Sequence, residues 1–310
     1  MTGNGPAPRS SGLIIVSAAD SGYFPLLRDN VLSIRALNAD VPIGLLDLGL
    51  ADDQLAWLGE RVTRIVRPGW DIEFPGSERM RDAFKAQVSR PFLPRHFPGY
   101  EMYFWLDADA WLQDWRAVEL YSAAAAKGRL AITVEIDRAY KRHYKRPKLF
   151  GTTLAWKCYR EGFGWRAADR LGRNPLINSG AFALRCDAPH WDVWARTLTR
   201  VLQRSRYFLG EQTSLNYAIF AEKLAADFLP CYCNWMPGDA TPAFDASRGL
   251  FVEPYAPHEV IGVMHLAGRD QKEKVFRLDC LDGGTVETSL RYSESRELCR
   301  SSATPEMKRQ

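Results

Sequence analysis

Apolar and polar positions at the start of the chain alternate between two periods, and each change of period predicts a new element. Leu13–Val16 is a continuous apolar run, which is typical of a buried strand. Apolar residues then recur at spacings of three and four over 24–37, which predicts an amphipathic helix. The next predicted elements are a strand at 43–48, a short helix starting at Asp52 or Asp53, and a strand at 62–66. Strands that alternate with helices in this way indicate a parallel sheet covered by helices.

The rest of the chain repeats both periods nearly to its end. Gly180 interrupts one of the later apolar runs. The further predicted elements are strands at 102–106, 130–134, 176–184 and 260–265, and helices at 81–92, 191–201 and 211–224. The pattern predicts an α/β fold with a mostly parallel central sheet flanked by helices. We expect a disordered N-terminus at 1–11, a single domain at 12–282, and an extension at 283–310 with a mobile tail.

Positive charge is concentrated in one segment rather than spread over the chain. The 310 residues carry 41 Lys and Arg against 37 Asp and Glu, a net charge of +4, which is too small for a dedicated nucleic-acid binder. Arg138–Lys148 holds six of these bases, interleaved with tyrosines, and no acid. This segment suits an anionic acceptor, a lipid phosphate or a membrane surface, or it is a solvated basic loop. No recognition motif accompanies it, so we expect no nucleic-acid partner.

Several common signatures are missing, and this narrows the function. No apolar run approaches the roughly 18 residues of a membrane span, and Met1–Ser11 contains no signal-peptide core. We therefore expect a cytoplasmic protein, with a peripheral membrane contact through 138–148 as one option. The sequence has no G-x-G-x-x-G after its first strand and no G-x-x-x-x-G-K-[ST]. These absences argue against a dinucleotide-binding domain and a P-loop enzyme.

The strongest chemical signal is Asp107-Ala108-Asp109, which follows the apolar strand at 102–106. Side chains two residues apart point the same way along a strand, so the two carboxylates can converge at the carboxyl edge of the sheet. In an open α/β sheet, ligands bind at that edge. Two carboxylates there repel each other, and a divalent cation that prefers oxygen ligands removes this cost. The motif predicts a Mg²⁺ or Mn²⁺ site shared with phosphate oxygens; the alternative is a pair of solvated turn residues.

A second candidate segment is Asn178-Ser179-Gly180, within the predicted strand at 176–184. A glycine inside an apolar strand indicates a bulge or the close approach of a ligand to the backbone. Asn178 and Ser179 would place an amide and a hydroxyl beside that point, which suits the hydroxyl groups of a sugar. The alternative is that Gly180 marks a bulge and nothing more.

A third candidate is Glu211-Gln212, which follows Gly210 at the start of a predicted helix. A negative charge is favourable at a helix N-terminus, so Glu211 has a purely structural explanation. The functional alternative places both side chains against the group that is transferred.

The fourth candidate segment begins at His265, at the end of the predicted strand at 260–265. His265 is either a third metal ligand or a buried structural histidine. Gly268 would let the backbone approach a phosphate, and Arg269 or Lys272 would offset the charge of a diphosphate.

These four segments occur in an order that resembles the GT-A glycosyltransferases, and most of all the retaining enzymes of glycosyltransferase family 8 and their bacterial relatives. That family has a D-x-D after an apolar strand, an N-[ST]-G strand, an acidic residue with Gln at a helix start, and a His-x-x-Gly-x-x-Lys segment. Lys85 and Arg90 lie where the family often has basic residues ahead of the D-x-D strand. The resemblance spans roughly Leu13 to Lys274.

The resemblance implies a GT-A fold and a metal-dependent enzyme that acts in polysaccharide biosynthesis. Such an enzyme moves a sugar, with retention, from a nucleoside-diphosphate sugar to a glycan, lipid-linked or other hydroxyl acceptor; a UDP-sugar is the first expectation. The cofactor would be Mn²⁺ or Mg²⁺, held by Asp107, Asp109 and His265. The implied donor contacts are Ser17, Ala18, Asp20, Lys85, Asp107, Ala108, Asn178, Ser179, Gly180, Gly268, Arg269 and Lys272. Gln212 and Glu211 are the implied catalytic residues.

The sequence departs from the family pattern at two of these positions. The residue three after Gly268 is Gln271 rather than lysine, so Arg269 and Lys272 both stay candidates for the diphosphate contact. Glu211 replaces the more usual Asp, and it is also a candidate base for an inverting displacement. A further alternative is a sugar nucleotidyltransferase, but the stretch after the first strand lacks the glycine-rich basic loop that is typical of those enzymes.

Overall fold

The centre of the molecule is a seven-stranded sheet in a computed structural model that describes residues 10–140 and 153–302. The first eight strands in chain order are β1 Ser10–Ala19, β2 Ile43–Asp47, β3 Arg64–Val66, β4 Tyr100–Leu106, β5 Ala110–Leu112, β6 Leu130–Val134, β7 Ile177–Arg185 and β8 Ala226–Leu229. All of these except β5 form the sheet, in the order β3-β2-β1-β4-β7-β6-β8. Within it only β7 runs antiparallel to its neighbours, so the predicted mostly parallel sheet is confirmed.

Helices cover both faces of this sheet because successive apolar side chains in its strands point to opposite sides. The described helices are α1 Phe24–Leu37, α2 Asp52–Gly59, α3 Lys85–Ser89, α4 Leu93–His96, α5 Arg116–Ala125, α6 Leu154–Phe163, α7 Trp165–Leu171, α8 His190–Leu202, α9 Gly210–Phe220 and α10 Tyr292–Ser302. Ile15 and Phe104 pack on the side of α1 and α5, whereas Val16 and Trp105 pack on the side of α8. None of the helices in the described part of the chain is long and apolar enough to cross a bilayer.

The predicted helix at 81–92 is wrong as a continuous element. The structure instead has a 3-10 turn, the five-residue helix α3, a second 3-10 turn at Arg90–Phe92 and the short helix α4. Pro91 and Pro94 account for the breaks, because proline has no N–H to donate and restricts the residue before it. The break sends Arg90 inward, where its side chain is buried.

The reversed direction of β7 decides which of its residues reach the carboxyl edge of the sheet. Leu106 at the end of β4 pairs with Ala181, and the Asp107 N–H donates to the Gly180 carbonyl at 2.8 Å. The N-terminal end of β7 therefore lies beside the D-x-D motif. The pairing with β6 passes from Phe182 directly to Asn178, so the predicted irregularity at Gly180 is present.

The predicted strand at 260–265 is present only at Val263–His265, and it lies outside the central sheet. The remaining strands are β9 Ala243–Asp245, β10 Leu250–Val252, β11 Val263–His265, β12 Val275–Asp279 and β13 Thr285–Ser289. β11 pairs antiparallel with β5, the strand that immediately follows Asp109, so that His265 lies opposite Ala110. A separate small sheet thus joins the C-terminal part of the chain to the D-x-D turn.

The end of the chain is more regular than its polar sequence predicts. Strand β13 and helix α10 lie within the extension at 283–310, and α10 continues to Ser302, into the segment expected to be a mobile tail. The Trp111 indole donates to the Leu290 carbonyl at 2.8 Å, and Arg291 pairs with buried Asp29 of α1 at 3.0 Å. Of the N-terminus expected to be disordered, 1–11, residues 1–9 lie outside the described residues and Ser10 and Ser11 belong to β1. Most of the basic segment 138–148 also lies outside the described residues, and the division into domains stays a prediction.

Candidate active site

The two aspartates of the D-x-D motif lie in a tight turn between β4 and β5. The Ala110 N–H donates to the Asp107 carbonyl at 2.9 Å, and the Asn30 side-chain amide donates to the Ala110 carbonyl at 2.8 Å. Ala108 is buried between the two aspartates. Backbone hydrogen bonds and a buried amide therefore fix the turn that carries both carboxylates.

His265 completes a cluster of three ligand-bearing side chains. Its Nε2 lies 3.5 Å from Asp109 Oδ1 and 3.9 Å from Asp107 Oδ2. Each of the three side chains offers a ligand atom, and these atoms all lie within 4.8 Å of one another. Two carboxylates and one imidazole form a donor set that suits Mn²⁺ or Mg²⁺. The structure thus brings together the three metal ligands that the sequence predicts.

Gly180 leaves the space that this cluster needs. A Cβ placed on Gly180 would lie 2.3 Å from His265 Cε1 and 3.0 Å from Asp107 Oδ2. Contacts under 3.0 Å require something to shift, so any other residue would displace the imidazole or the strand. The close approach predicted for Gly180 is therefore an approach to the candidate metal ligands, and the three side chains fit around a common point only because this position has no side chain.

Arg90 occupies the centre of a buried ion-pair network on the Asp107 side of the site. Its Nη2 lies 2.5 Å from Asp107 Oδ1, and its Nη1 lies 2.6 Å from Glu211 Oε2 and 3.1 Å from Ser179 Oγ. The guanidinium also lies over the Trp105 ring, 4.7 Å from its centroid, and the Trp105 indole donates to Asp107 Oδ1 at 2.7 Å. The network ties β4, β7 and the first turn of α9 to the D-x-D motif.

One guanidinium pairs with two carboxylates in this network, buried Glu211 and partly buried Asp107, and the pKa values of both carboxyl groups are raised. Burial raises the pKa of Glu211 to about 7, and Arg90 and Ser179 offset this only in part. Burial also raises the pKa of Asp107, against the opposing effect of Arg90. Burial lowers the pKa of Arg90 itself, but Asp107 and Glu211 outweigh burial, so that Arg90 stays charged.

Asp109 has a different environment, with an amine as its partner. Lys272 Nζ lies 2.7 Å from Asp109 Oδ2 and donates to the Tyr23 hydroxyl at 2.8 Å. Burial would raise the pKa of Asp109, but the protonated form of His265 together with Lys272 outweighs burial and holds that pKa well below its usual range. Burial would likewise lower the pKa of Lys272, and Asp109 reverses the direction. Asp109 is therefore ionised, with a lysine beside it.

Asn178 is engaged within the protein. Its Nδ2 donates to Glu135 Oε1 at 2.9 Å, and its Oδ1 accepts from the Gly180 N–H at 3.0 Å and from Asn234 Nδ2 at 3.0 Å. The sequence predicts this amide as a contact for sugar hydroxyls, but its donor and acceptor both have partners in the fold. Ser179, next to it, donates to Glu211 Oε2 at 3.0 Å.

The remaining predicted residues of β1, the turn after it and α9 differ in their hydrogen-bond partners. Ser17 is buried near the end of β1, and its hydroxyl has no hydrogen-bond partner in the described part of the chain. Ala18 follows it, and Asp20 accepts the Tyr23 N–H at 3.0 Å and so caps the turn that presents Tyr23 to Lys272. Gln212 is buried, and no hydrogen bond to its side-chain amide exists among the described residues.

Three predicted donor contacts stand apart from the carboxylate cluster. Lys85 pairs with Asp82 at 2.9 Å and lies 5.5 Å from the Trp70 ring, so Arg90, five residues later, is the base that reaches Asp107. Gly268 has a φ of +95°, a conformation that suits glycine. Arg269 is exposed in the 3-10 turn that follows. Of the two candidate bases for a diphosphate, the structure places Lys272 rather than Arg269 beside the carboxylates.

Comparison with known proteins identifies the fold of the chain. No family model and no curated protein matches the sequence. Among solved structures, the galactosyltransferase LgtC, determined with donor and acceptor sugar analogues, is 16% identical with a TM-score of 0.53 over 94% of this chain and 98% of that chain. The glycosyltransferase GlyE from Streptococcus pneumoniae TIGR4 is 15% identical with a TM-score of 0.52 over 94% of this chain and 63% of that chain. The chain therefore has the GT-A fold of the nucleotide-sugar glycosyltransferases.

Proposed function

We propose that this protein is a metal-dependent glycosyltransferase that transfers a sugar from a nucleoside-diphosphate sugar to a hydroxyl acceptor. The observation that carries the proposal is the convergence of Asp107, Asp109 and His265 at the carboxyl edge of a GT-A sheet. Fold alone does not assign an activity, and the proposal therefore depends on the chemistry of this cluster.

Asp107, Asp109 and His265 would hold the divalent cation, with Mn²⁺ or Mg²⁺ as the candidates. Such an ion, when bound, stabilises the negative charge of a leaving diphosphate as a Lewis acid. The contribution of the chain is to fix the ligands beforehand, through the backbone hydrogen bonds of the turn and the space at Gly180. Preorganised ligands need no reorganisation when charge develops on the leaving group.

Lys272 is the base that we assign to the donor diphosphate. It lies 2.7 Å from Asp109 Oδ2, and an ammonium in that position can exchange a carboxylate for a phosphate oxygen as its partner. Gly268 in the same segment has a positive φ and no side chain, which would let a phosphate approach the backbone there. The buried Ser17 hydroxyl without a described partner supports a nucleotide contact at the end of β1. The first expectation for the nucleotide is uridine diphosphate.

Gln212 is the residue that we place against the transferred sugar, because it is buried beside Glu211 and no described residue hydrogen-bonds to its amide. Transfer with retention, in which the leaving phosphate assists attack on the same face, needs no strong protein base. The resemblance to retaining family-8 enzymes supports this course of the reaction.

An inverting reaction with Glu211 as the base is the alternative. A carboxyl group whose pKa is raised to about 7 can accept a proton near neutral pH, which favours this role. Its ion pair with Arg90 at 2.6 Å and its hydrogen bond from Ser179 oppose this role, because both hold Oε2 inside the protein. A sugar nucleotidyltransferase is a further alternative. The stretch after β1 argues against it, because it lacks the glycine-rich basic loop that is typical of those enzymes.

The acceptor that we propose is a hydroxyl group of a glycan or a lipid-linked saccharide, as expected for an enzyme of polysaccharide biosynthesis. The basic segment 138–148 is the proposed contact for an anionic acceptor or an anionic membrane surface, and a cytoplasmic location with peripheral membrane contact is the matching expectation.

Thermal unfolding in the presence of UDP-sugars, GDP-sugars and other nucleotide sugars, each with Mn²⁺ or with EDTA, tests the proposal. We expect an increase in Tm that requires both the metal and one class of nucleotide, because binding to the native state adds to its stability. Hydrolysis or transfer of the stabilising donor, followed by NMR of the anomeric proton, then separates retention from inversion. A protein that responds to no nucleotide sugar in either condition contradicts the proposed function.

A further inference from the structure

The imidazole of His265 is held by a chain of buried amides that extends away from the carboxylates. His265 Nδ1 lies 2.9 Å from Asn234 Oδ1, and Asn234 Nδ2 donates to Asn178 Oδ1 at 3.0 Å and to Thr133 Oγ1 at 3.2 Å. Asn234 and Thr133 are fully buried. These contacts join three separate parts of the chain behind the candidate metal ligands.

The backbone N–H of Gly180 determines the direction of the hydrogen bonds that link Asn178, Asn234 and His265. The Gly180 N–H can only donate, so the Asn178 atom 3.0 Å from it is the oxygen. Asn178 Nδ2 then faces Glu135 Oε1, a carboxylate acceptor, at 2.9 Å. The atom of Asn234 that faces Asn178 Oδ1 must be its nitrogen, since two oxygens without a proton between them repel each other. The oxygen of Asn234 is thereby left for His265.

We propose that Asn234 is a positioning residue that keeps the proton of neutral His265 on Nδ1 and so leaves the Nε2 lone pair directed at the carboxylate side. Nε2 is the atom that lies 3.5 Å from Asp109 Oδ1, and a metal ligand must present an unprotonated nitrogen. Metal-binding histidines commonly donate their other N–H to an acceptor that fixes the tautomer and the orientation of the ring. The inference rests on the proposed metal site and adds that Asn178 acts through Asn234 rather than on the sugar.

The backbone around Asn234 supports a positioning role because it is clamped directly to the strand of His265. The neighbouring Trp235 N–H donates to the Val263 carbonyl at 2.8 Å, and the His265 N–H donates to the Trp235 carbonyl at 2.8 Å. Asn234 follows the 3-10 turn Cys231–Cys233 and donates its own N–H to Cys231 at 3.0 Å. The acceptor oxygen and the imidazole are thus held in register by two short segments with fixed backbones.

The affinity for Mn²⁺ alone, measured by electron paramagnetic resonance of the free ion without nucleotide, tests the role of Asn234. Asn234→Ala removes the acceptor, and we expect its dissociation constant to rise roughly 10- to 100-fold. Asn234→Asp keeps an oxygen acceptor for Nδ1–H but loses the amide donor to Asn178 Oδ1, so we expect it to lose stability and yet to bind Mn²⁺ more tightly than Asn234→Ala. A purely structural role predicts that both variants lose stability and that neither changes the affinity of the folded protein.

Gln113→Leu is the matched control for the loss of buried polar contacts. The Gln113 amide donates to the Phe251 and Ile261 carbonyls at 2.8 and 2.7 Å and accepts the Phe251 N–H at 2.8 Å, away from the carboxylates. We expect this variant to lose stability without any change in Mn²⁺ affinity. An equal loss of affinity in the control would show that general loosening, and not the acceptor on His265, sets the affinity.

Nitrogen-15 NMR of the histidine rings in the metal-free wild type tests the tautomer directly, and a variant is needed only to assign the signal. At a pH at which the His265 ring is neutral, we expect the proton on Nδ1, with the signal assigned by its loss in His265→Gln. A proton on Nε2 overturns the inference even if Mn²⁺ binds. A wild type that carries the proton on Nδ1 but binds no Mn²⁺ overturns the proposed function and leaves the tautomer assignment intact.

Discussion

The two aspartates of the D-x-D motif are separated by one residue, yet they lie in opposite electrostatic environments. Asp107 shares the buried guanidinium of Arg90 with Glu211, and burial raises its pKa. Asp109 contacts Lys272 and His265, which together hold its pKa well below its usual range. The side chain of Arg90 is 9% exposed and is held by three partners, whereas that of Lys272 is 15% exposed and belongs to a surface segment after Gly268.

This difference separates a structural counter-ion from an exchangeable one. Arg90 connects β4, β7 and α9, so its removal would leave partly buried Asp107 and buried Glu211 without the guanidinium that neutralises them. Lys272 has a flexible stem, and its polar partners among the described residues are Asp109 and the Tyr23 hydroxyl. Its ammonium lies 4.3 Å from the Tyr23 ring centroid. The Asp107 side therefore holds the site together, and the Asp109 side is where we expect the donor to change partners. Four variants test this contrast.

Asp109→Ala should have the largest effect, because it removes both a candidate metal ligand and the partner of Lys272. We expect transfer to fall at least 10⁴-fold, above about 5 kcal/mol of activation free energy, with the fold retained. Transfer assays and circular dichroism measure the two quantities. Asp114→Ala, which removes a carboxylate that caps the Arg116 N–H at 2.9 Å, is the control and should keep its activity. Full activity in Asp109→Ala would contradict the site assignment.

Arg90→Met should destabilise the protein by about 3–5 kcal/mol, because it leaves buried Glu211 and partly buried Asp107 without their guanidinium. Urea unfolding with EDTA measures this free energy. Arg79→Met removes an arginine whose side chain is 86% exposed and pairs with Glu78, which is itself 65% exposed, and it should cost about 1 kcal/mol or less. Equal stabilities of the two variants would remove the distinction between a structural and an exchangeable base.

Glu211→Gln should change how stability depends on pH. The pKa of Glu211 is raised from 4.5 to about 7, so its native environment favours the neutral form. The contribution of Glu211 to the free energy of unfolding is fully present below pH 4.5 and is lost as the pH rises through about 7. The loss amounts to about 3 kcal/mol at most.

Unfolding of the metal-free protein between pH 5 and pH 8 measures this dependence. The wild type should lose stability relative to Glu211→Gln over this interval, since glutamine is neutral throughout. The difference between the two proteins isolates Glu211 from Asp107, whose raised pKa acts in the same direction. Parallel curves for the two proteins would show that Arg90 keeps Glu211 ionised across the whole range.

Lys272→Met should have the smallest effect on the fold and a selective effect on the donor. We expect the unfolding free energy to change by no more than about 1 kcal/mol, and donor affinity to fall roughly 10- to 100-fold, about 1.5–3 kcal/mol, through the loss of a charged hydrogen bond. Isothermal titration with the stabilising nucleotide sugar measures the affinity. Arg269→Met is the control and should change it less than about threefold. A larger loss of donor affinity in Arg269→Met than in Lys272→Met would assign the diphosphate contact to Arg269.

Local sequence patterns predicted the carboxylates of the site, but not which basic residue pairs with them. Asp107 and Asp109 follow an apolar strand, and their convergence depends on the alternation of side chains along that strand, which the sequence shows directly. Lys85 and Arg90 are both bases ahead of this strand, and only the breaks at Pro91 and Pro94 decide which one points inward. No local pattern distinguishes them.

Asn234 shows the limit of prediction more clearly. It lies between a cysteine and a tryptophan with no motif around it, and its side-chain partners Thr133, Asn178 and His265 are 101, 56 and 31 residues away in the chain. Its importance becomes visible only when the donors and acceptors of the buried amides are assigned together. Asn178, in contrast, was predicted as a sugar contact from its residue type, and the fold uses both of its amide atoms internally.

The sequence by itself determined the α/β alternation, the buried strand that leads to Asp107, and the types of side chain available for metal and phosphate. These depend on periods of two and 3.6 residues, which each segment carries within itself. Only the tertiary structure decided that β7 runs antiparallel and that β11 pairs with β5, which bring Gly180 and His265 to the same two carboxylates. Strand direction and pairing between distant segments depend on the packing of the whole sheet, and no short stretch of sequence contains that information.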